Sequence, residues 1–259
     1  MSKTFTTSLL LLLAPSCFAI SNIESDRPSL PKPGFSGSAQ IGLDGKTGNQ
    51  KEANYSAASK LFYRADQEIF MLIGARAYGK TNDLKDTDDT FLHGRWTHIL
   101  TPRWSLETFA QWQENQFENL KSRVLLGGGG RYLLAKEQDV YSFAVGLGAF
   151  REKETLDLIS YNTTEYYWRA NSYYSFKYRL NETLSLVNTT YLQPNLDDLQ
   201  DVRMLFDLGL SVSLSSNLSL KLNYKLTHDS RPAQNLTVTP PLYNNKTNSA
   251  YETSLSFSF

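Results

Sequence analysis

The sequence predicts an all-β protein: a single antiparallel up-and-down transmembrane β-barrel of about twelve strands. The first observation is compositional, because 13% of the residues are aromatic although the mean hydropathy is only −0.39. A barrel combines these properties because aromatic girdles mark its two interfaces while its lumen is polar. The second observation is that residues 34–259 form alternating segments separated by turn signals, without the 3.6-residue period of an amphipathic helix. The same low hydropathy excludes a bundle of transmembrane helices.

The last strand is expected at residues 247–259, and its final nine residues carry the clearest alternation. Its large side chains share one face because successive strand residues point to opposite sides of a sheet. These side chains are Tyr251, Leu255, Phe257 and Phe259. Serines and Glu252 occupy the other face. An apolar outer face, a polar inner face and a terminal aromatic residue are typical of the closing strand of a transmembrane barrel.

Residues 1–19 are predicted to be a secretory signal peptide. Lys3 supplies a basic start, a leucine-rich core follows, and Cys17-Phe18-Ala19 forms a small-x-small cleavage site before Ile20. An alternative is a lipoprotein signal in which Cys17, the only cysteine, is acylated. Residues 20–33 contain three prolines and are expected to be a periplasmic N-terminal lead-in, so the barrel itself is assigned to residues 34–259.

The other strands follow in order, each defined by alternation and bounded by turn residues. We expect them at about residues 35–44, 54–65, 68–78, 90–100, 104–113, 122–134, 139–150, 164–178, 183–193, 202–214 and 218–227. In the third strand Ile69, Met71 and Ile73 are assigned to the outside, with Glu68 and Arg76 facing inward. The four glycines at 127–130 are interpreted as a barrel corner, since no helix follows them as a nucleotide site would require.

The predicted connections alternate in length along the chain. Short turns are expected near residues 66–67, 101–102, 135–138, 179–182 and 215–217. Longer loops are expected at about 45–53, 79–89, 114–121, 151–163, 194–201 and 228–246. Outer-membrane barrels place short turns in the periplasm and longer loops outside. The pattern therefore predicts the cell outer membrane as location, an even strand count, and both termini in the periplasm.

Several stretches resemble the family of salt-induced outer-membrane proteins, which is classified as a domain of unknown function. They are Thr47-Gly48-Asn49, FLHGRWTHILTPRWSLETFAQWQENQFE at 91–118, the glycine-rich 123–134, and 218–230 followed by Pro232. The chain departs from that pattern at Asn248, where an aspartate is expected, and in a longer preceding loop. The resemblance implies a Gram-negative barrel without a settled biochemical activity, linked to osmotic conditions. It also identifies Phe259, with the outer face of its strand, as a barrel-assembly signal read by the outer-membrane assembly machinery.

Charged residues of both signs are assigned to the lumen. They are Lys60, Arg64, Glu68, Arg76, Arg95, Glu107, Arg169, Arg203, Asp207, Lys221 and Lys225. A twelve-stranded barrel is wide enough either for a polar pore or for a lumen packed with side chains that pair across it. We favour a packed or narrowly hydrated interior, because long charged side chains satisfy one another there.

Two further motifs contain residue types that occur in catalytic or metal sites, but neither forms a complete site. His228 and Ser230 have the His-x-Ser spacing of outer-membrane lipid hydrolases, but a working site also requires an orienting group and an oxyanion donor. Asp83, Asp86, Asp88 and Asp89 offer oxygen ligands, yet their spacing matches no defined calcium loop. We therefore expect no catalytic residues, no metal and no cofactor.

The expected function is that of an envelope protein for osmotic adaptation or a narrow small-solute pore. The alternatives are an outer-membrane lipid hydrolase and a lipoprotein acylated at Cys17. Expected partners are outer-membrane lipids, lipopolysaccharide and the assembly machinery. Nucleic acid is excluded, because 26 basic and 26 acidic residues give no basic surface.

Overall fold

The structure of the protein is a computed structural model. It describes residues 22–24, 27, 33–46, 52–137, 140–158, 161–232, 234–235, 242–243 and 245–259. The predicted signal peptide and Cys17 lie outside these residues. Within them, no helix combines the length and the apolar character that crossing a membrane would require.

Twelve strands close into an antiparallel barrel in chain order, which confirms the predicted fold class. They are β1 (Gly34–Lys46), β2 (Glu52–Ala65), β3 (Glu68–Thr81), β4 (Leu84–Ile99), β5 (Trp104–Asn115), β6 (Leu120–Glu137), β7 (Tyr141–Leu158), β8 (Tyr161–Arg179), β9 (Leu184–Pro194), β10 (Val202–Ser213), β11 (Leu218–Asp229) and β14 (Thr247–Ser258). Two short strands, β12 (Gln234–Asn235) and β13 (Leu242–Tyr243), pair with each other between β11 and β14.

The seam between β1 and β14 closes the barrel. Its register runs from Ser38 opposite Ser258 to Ile41 opposite Leu255. Beyond this ladder, Gly37 and Phe259 exchange two backbone hydrogen bonds, each 3.1 Å long. Both ends of the barrel segment therefore lie at the same end of the barrel, which we call the terminal rim; the opposite end is the loop rim.

The outer wall has an aromatic girdle near each rim. Near the terminal rim the girdle contains Phe35, Tyr63, Phe70, Trp104, Tyr132, Tyr178 and Phe257. Near the loop rim it contains Tyr55, Trp112, Tyr166, Trp168 and Tyr251. Leucines between the girdles, such as Leu72, Leu92 and Leu147, are exposed on the outside. This apolar band matches the hydrocarbon layer of a bilayer.

The closing strand shows the two faces that its sequence predicts. Ser254 and Ser256 are buried on the lumen side, whereas the large side chains are exposed on the outer wall. Those outward side chains are Tyr251, Leu255, Phe257 and Phe259.

Strands reach further toward the loop rim than the sequence indicates. The third strand and its partner meet at Asn82–Asp83, both of which have positive φ angles (51° and 64°), so the expected loop at 79–89 is wrong. Asn and Asp tolerate this left-handed conformation, which a two-residue hairpin turn of type I′ requires. Similarly, β7 continues to Leu158 and β8 begins at Tyr161, so most of the expected loop at 151–163 is sheet.

The facing assigned to β3 is also wrong. Ile69, Met71 and Ile73 are buried on the lumen side, while Phe70 and Leu72 are exposed outside. Both faces of this strand are apolar, so alternation alone did not select the outer one. The lumen face was selected by packing, because Met71 and Ile73 share a buried cluster with Phe62 and Ile23.

Because β3 faces the opposite way from the prediction, two of the residues predicted to line the lumen lie on the outer wall. Glu68 accepts a hydrogen bond from the indole of outward-facing Trp96 and pairs with His98 at 2.6 Å. Arg76 is 48% exposed and pairs with Asp88. Glu68 and Arg76 are therefore not lumen-lining residues.

Gly146 in β7 makes room for a lumen side chain. A Cβ atom at this position would overlap the ring of Tyr173, whose hydroxyl donates to Glu107 at 3.1 Å. We therefore expect Gly146→Val to destabilise the barrel by about 1–3 kcal/mol, the usual cost of overpacking. Guanidinium unfolding in micelles measures this change. Gly94→Val is the control, since nothing lies within 4 Å of a Cβ there; equal midpoints for the two variants would contradict the expectation.

Candidate functional site

The lumen is the candidate site, and nine of the eleven residues assigned to it lie on the inner face. They are Lys60, Arg64, Arg95, Glu107, Arg169, Arg203, Asp207, Lys221 and Lys225. The structure does not spread them evenly. Arg95, Glu107, Arg169 and Arg203 belong to two buried ionic clusters on one side, while Asp207 and the three lysines line open space on the other.

The first group, which we call the vestibule cluster, lies toward the loop rim. It consists of Arg123, Glu152, Glu154, Arg169, Asp201, Arg203 and Asp229. Glu152 is its hub, because its carboxylate pairs with Arg123, with Arg203 and, at 2.9 Å, with Arg169. Neither Glu152 nor Arg169 is more than 1% exposed.

Outer carboxylates complete the vestibule cluster. Arg169 Nη2 lies 2.7 Å from Asp201, and Arg203 Nε lies 2.9 Å from Asp229. Each buried charge thus has at least one opposite partner within hydrogen-bonding distance. Burying charges is tolerated only with such pairing, and removal of one member leaves an uncompensated charge.

A second group, which we call the N-terminal cluster, joins the lumen to residues before the first strand. It consists of Glu24, Arg27, Arg95, Glu107, Arg131 and Tyr173. Arg95 Nη1 lies 2.7 Å from Glu24 and 3.1 Å from Glu107. Arg27 also pairs with Glu107. Residues 22–24 and 27 of the expected periplasmic lead-in therefore lie inside the barrel.

Glu24 is fully buried in this cluster. Burial alone raises the pKa of its carboxyl, but the surrounding charges of Arg27, Arg131 and Arg95 outweigh burial and hold the pKa well below its usual range. Ile23 beside it is 3% exposed and packs with Phe62 and Met71. One charged and one apolar side chain therefore anchor the N-terminal residues to the barrel wall.

Aromatic side chains fill the same half of the lumen. The rings of Tyr173 and Tyr191 lie 5.2 Å apart and pack with Leu205, which is fully buried. Phe109 and Phe150 form a second pair at 6.2 Å. With the two ionic clusters, these residues produce the packed interior that the sequence analysis favours, but only along part of the wall.

The lumen also contains two open cavities. One cavity of about 510 Å³ opens around the vestibule cluster, and a second of about 390 Å³ runs beside the N-terminal residues. The second is lined by Asn22, Gln40, Ser56, Ala58, Lys60, Asp207, Ser211, Lys221, Lys225, Glu252 and Ser254. Asp89, Gln113 and Asn115 line both cavities, so the two are adjacent.

The second cavity extends along most of the barrel. It is lined near the loop rim by Asp89 and near the terminal rim by Ser185 and Ser211. Its inner-face charges are three lysines (Lys60, Lys221, Lys225) and three carboxylates (Asp89, Asp207, Glu252). This balance suits a polar solute of either sign.

His228 and Ser230 do not form the pair that the hydrolase alternative requires. His228 Nδ1 lies 2.9 Å from the hydroxyl of Thr247, and Ser230 accepts a hydrogen bond of 2.8 Å from the Val202 amide. Between these two described residues there is no hydrogen bond. Asp229 between them faces the lumen and pairs with Arg203.

The aspartates at 83–89 are dispersed. Asp83 occupies the β3–β4 turn, Asp88 pairs with Arg76 and Lys85 on the outer wall, and Asp89 faces the lumen. Asp86 accepts a hydrogen bond from Thr81 at 2.5 Å. Across the described ranges, no group of three or more His, Cys, Asp or Glu side chains is arranged to hold a metal.

Sequence reasoning missed important lumen residues. Glu152 and Glu154 fall within the loop that the sequence predicts at residues 151–163. Continuing the alternation of β7 past Phe150 places both side chains in the lumen. Glu24 and Arg27 carry no periodic signal, because they precede the sheet. Their position was not predictable from local pattern.

Solved structures share this architecture at low sequence identity. The translocator domain of the autotransporter NalP from Neisseria meningitidis matches with a TM-score of 0.55 at 12% identity, covering 91% of this chain and 92% of that one. The COG4313 outer membrane channel from Pseudomonas putida F1 gives 0.52 at 11% identity, covering 93% and 100%. The NanC porin gives 0.51 at 11% identity, covering 86% and 100%. The fold is thus that of outer-membrane β-barrels.

Sequence comparison identifies the family of this chain. A family model described as "Protein of unknown function, DUF481" matches residues 39–259. No curated protein matches the sequence.

Proposed function

This chain belongs to the DUF481 family of proteins of unknown function, and we propose that it acts as a narrow pore for small polar solutes in the outer membrane. The observation that carries the proposal is the polar cavity along one wall of the lumen, adjoining the open vestibule. Barrels filled by side chains across their whole width leave no such space.

The proposed orientation places both termini in the periplasm. It is supported by the shared terminal rim and by the strands that project beyond the girdle at the loop rim, as in β7 and β8. In this orientation the vestibule opens to the exterior and Phe259 lies at the periplasmic rim, where the assembly machinery would bind it. We extend the proposal to an envelope role under osmotic change, supported only by the family resemblance.

Planar-bilayer recording of the refolded mature chain tests the pore. We expect discrete, small conductance steps that persist in the presence of either a cationic or an anionic test solute. A trace that remains closed at all voltages would refute the proposal. Refolding is checked independently by the shift in electrophoretic mobility that folded barrels show on heating.

Charge reversal at the cavity wall should change ion selectivity. Because Lys221 and Lys225 line the cavity, Lys221→Glu/Lys225→Glu replaces two positive charges in its wall by two negative charges. We expect the reversal potential in a salt gradient to shift toward cation selectivity by a permeability ratio of about threefold or more.

Lys153→Glu is the control for this experiment, because Lys153 is exposed on the outer wall. It should leave the reversal potential unchanged. An equal shift in the control, or no shift in the double variant, would show that the cavity is not the conduction path.

A further inference from the structure

Arg151 and Lys153 lie on the outer wall at the top of the apolar band. Along β7 the outward side chains are Phe143, Val145, Leu147 and Ala149, followed by Arg151 and Lys153. Arg151 follows Tyr141 by ten residues, which is about 33 Å along the strand and, at a tilt of about 40°, about 25 Å across the membrane. This matches the thickness of the apolar band, so Arg151 and Lys153 lie at its upper boundary.

Aromatic rings hold both cations in place. The Arg151 guanidinium lies 5.6 Å from the ring centres of both Tyr166 and Trp168. The Lys153 ammonium lies 5.9 Å from the Tyr166 ring. These contacts orient the two cations without neutralising their positive charge. The N–H groups of the guanidinium and the ammonium that point away from the rings can still donate hydrogen bonds.

No carboxylate in the described part of the chain neutralises the pair. Among the described residues, neither Arg151 nor Lys153 forms an ion pair, in contrast to the buried arginines of the lumen. The next carboxylate on this face of β7 is Asp157, four residues beyond Lys153. The hydroxyls of Thr155 and Thr164, 3.1 Å apart, lie between them.

We propose that Arg151 and Lys153 form a binding site for the phosphomonoester headgroup of a membrane lipid. Side chains on one face of a strand are about 7 Å apart at i and i+2, which lets two cations contact one phosphate. A phosphomonoester carries up to two negative charges, and the arginine fork donates to phosphate in bidentate geometry. Leu147, below the pair on β7, and Leu126, opposite Arg151 on β6, are exposed on the outer wall where the acyl chains of such a lipid would pack.

The site is separate from the lumen and does not depend on conduction. In the proposed orientation it faces the outer leaflet, whose glycolipid carries phosphomonoesters. Its ligand chemistry is therefore that of a diphosphoryl lipid A rather than of a zwitterionic phospholipid.

Native mass spectrometry of the refolded mature chain in micelles tests the site, with diphosphoryl lipid A as the probe. We expect Arg151→Gln/Lys153→Gln to weaken binding by about tenfold or more, the loss typical of two charged hydrogen bonds. Dephosphorylated lipid A should bind the native chain as weakly as diphosphoryl lipid A binds the double variant. Arg151→Lys should lose part of the affinity for diphosphoryl lipid A, because lysine keeps the positive charge but lacks the planar guanidinium that donates two parallel hydrogen bonds.

The matched control is Arg103→Gln/Lys136→Gln, which removes two exposed cations near the terminal rim. It should bind diphosphoryl lipid A as the native chain does, and both double variants should keep the heat-dependent mobility of a folded barrel. Native-like binding by Arg151→Gln/Lys153→Gln would overturn the proposal. So would equal loss in the control, or inorganic phosphate binding as tightly as the lipid.

Discussion

Glu152→Gln should destabilise the folded barrel by about 3–5 kcal/mol, the range for removing one partner of a buried ion pair. Glu152 is fully buried and pairs with three arginines, Arg123, Arg169 and Arg203. Glutamine keeps the shape of the side chain but leaves these three positive charges facing one another. The midpoint of guanidinium unfolding in micelles, followed by tryptophan fluorescence, measures the loss.

Two further variants isolate the electrostatic cause. Glu137→Gln makes the same chemical change at an exposed position near the terminal rim and should leave the midpoint in place. Glu152→Gln/Arg123→Gln removes one of the repelling charges and should recover part of the lost stability. A native midpoint for Glu152→Gln, or a double variant less stable than the single one, would show that the hub is not required.

Deleting residues 22–27 should increase single-channel conductance about twofold or more, since a twelve-stranded lumen is wide once its filling is removed. Ile23 and Glu24 are anchored in the lumen, and Asn22 before them lines the second cavity. Their removal would join the space they occupy to that cavity. Planar-bilayer recording of the refolded variant gives the conductance directly.

Glu24→Gln is the graded comparison for the deletion. It keeps the length of the chain but removes the charge that pairs with Arg95 and Arg131. We expect a mean conductance between those of the native chain and the deletion, with transitions between two levels as the residues leave and re-enter their site. If the deletion conducts as the native chain does, these residues do not narrow the conduction path.

The fold was predictable because most strands have one apolar and one polar face. In β10, Val202, Met204 and Phe206 alternate with Arg203 and Asp207, and the structure places the charged residues in the lumen. Where this contrast fails, the prediction fails. Both faces of β3 are apolar, and the face that lies in the lumen packs against Phe62 and against Ile23, which is remote in sequence.

The site was predictable in part, for a related reason. Alternation indicates that Arg169 and Arg203 face inward, but it cannot show that both reach Glu152, because strand tilt and shear set which inward residues meet across the lumen. The open cavity could not be predicted from local sequence patterns either. It depends on small residues such as Ser56, Ala58 and Ser211, which lie far apart in sequence and carry no individual signal.

The short seam has a consequence for the order of assembly. In the described chain, β1 and β14 pair only from Ser38–Ser258 to Ile41–Leu255, with Gly37 and Phe259 beyond, whereas β1 pairs with β2 along its whole length. Ten of the strand pairs join strands that are consecutive in sequence, so they can form as local hairpins. The β1–β14 ladder instead joins the two ends of the barrel segment. The loop it closes is the longest in the protein, so its entropic cost is the largest and its hydrogen bonds are among the fewest. We therefore expect ring closure to be the last folding step and the β1–β14 seam to be the first strand pair to separate on unfolding.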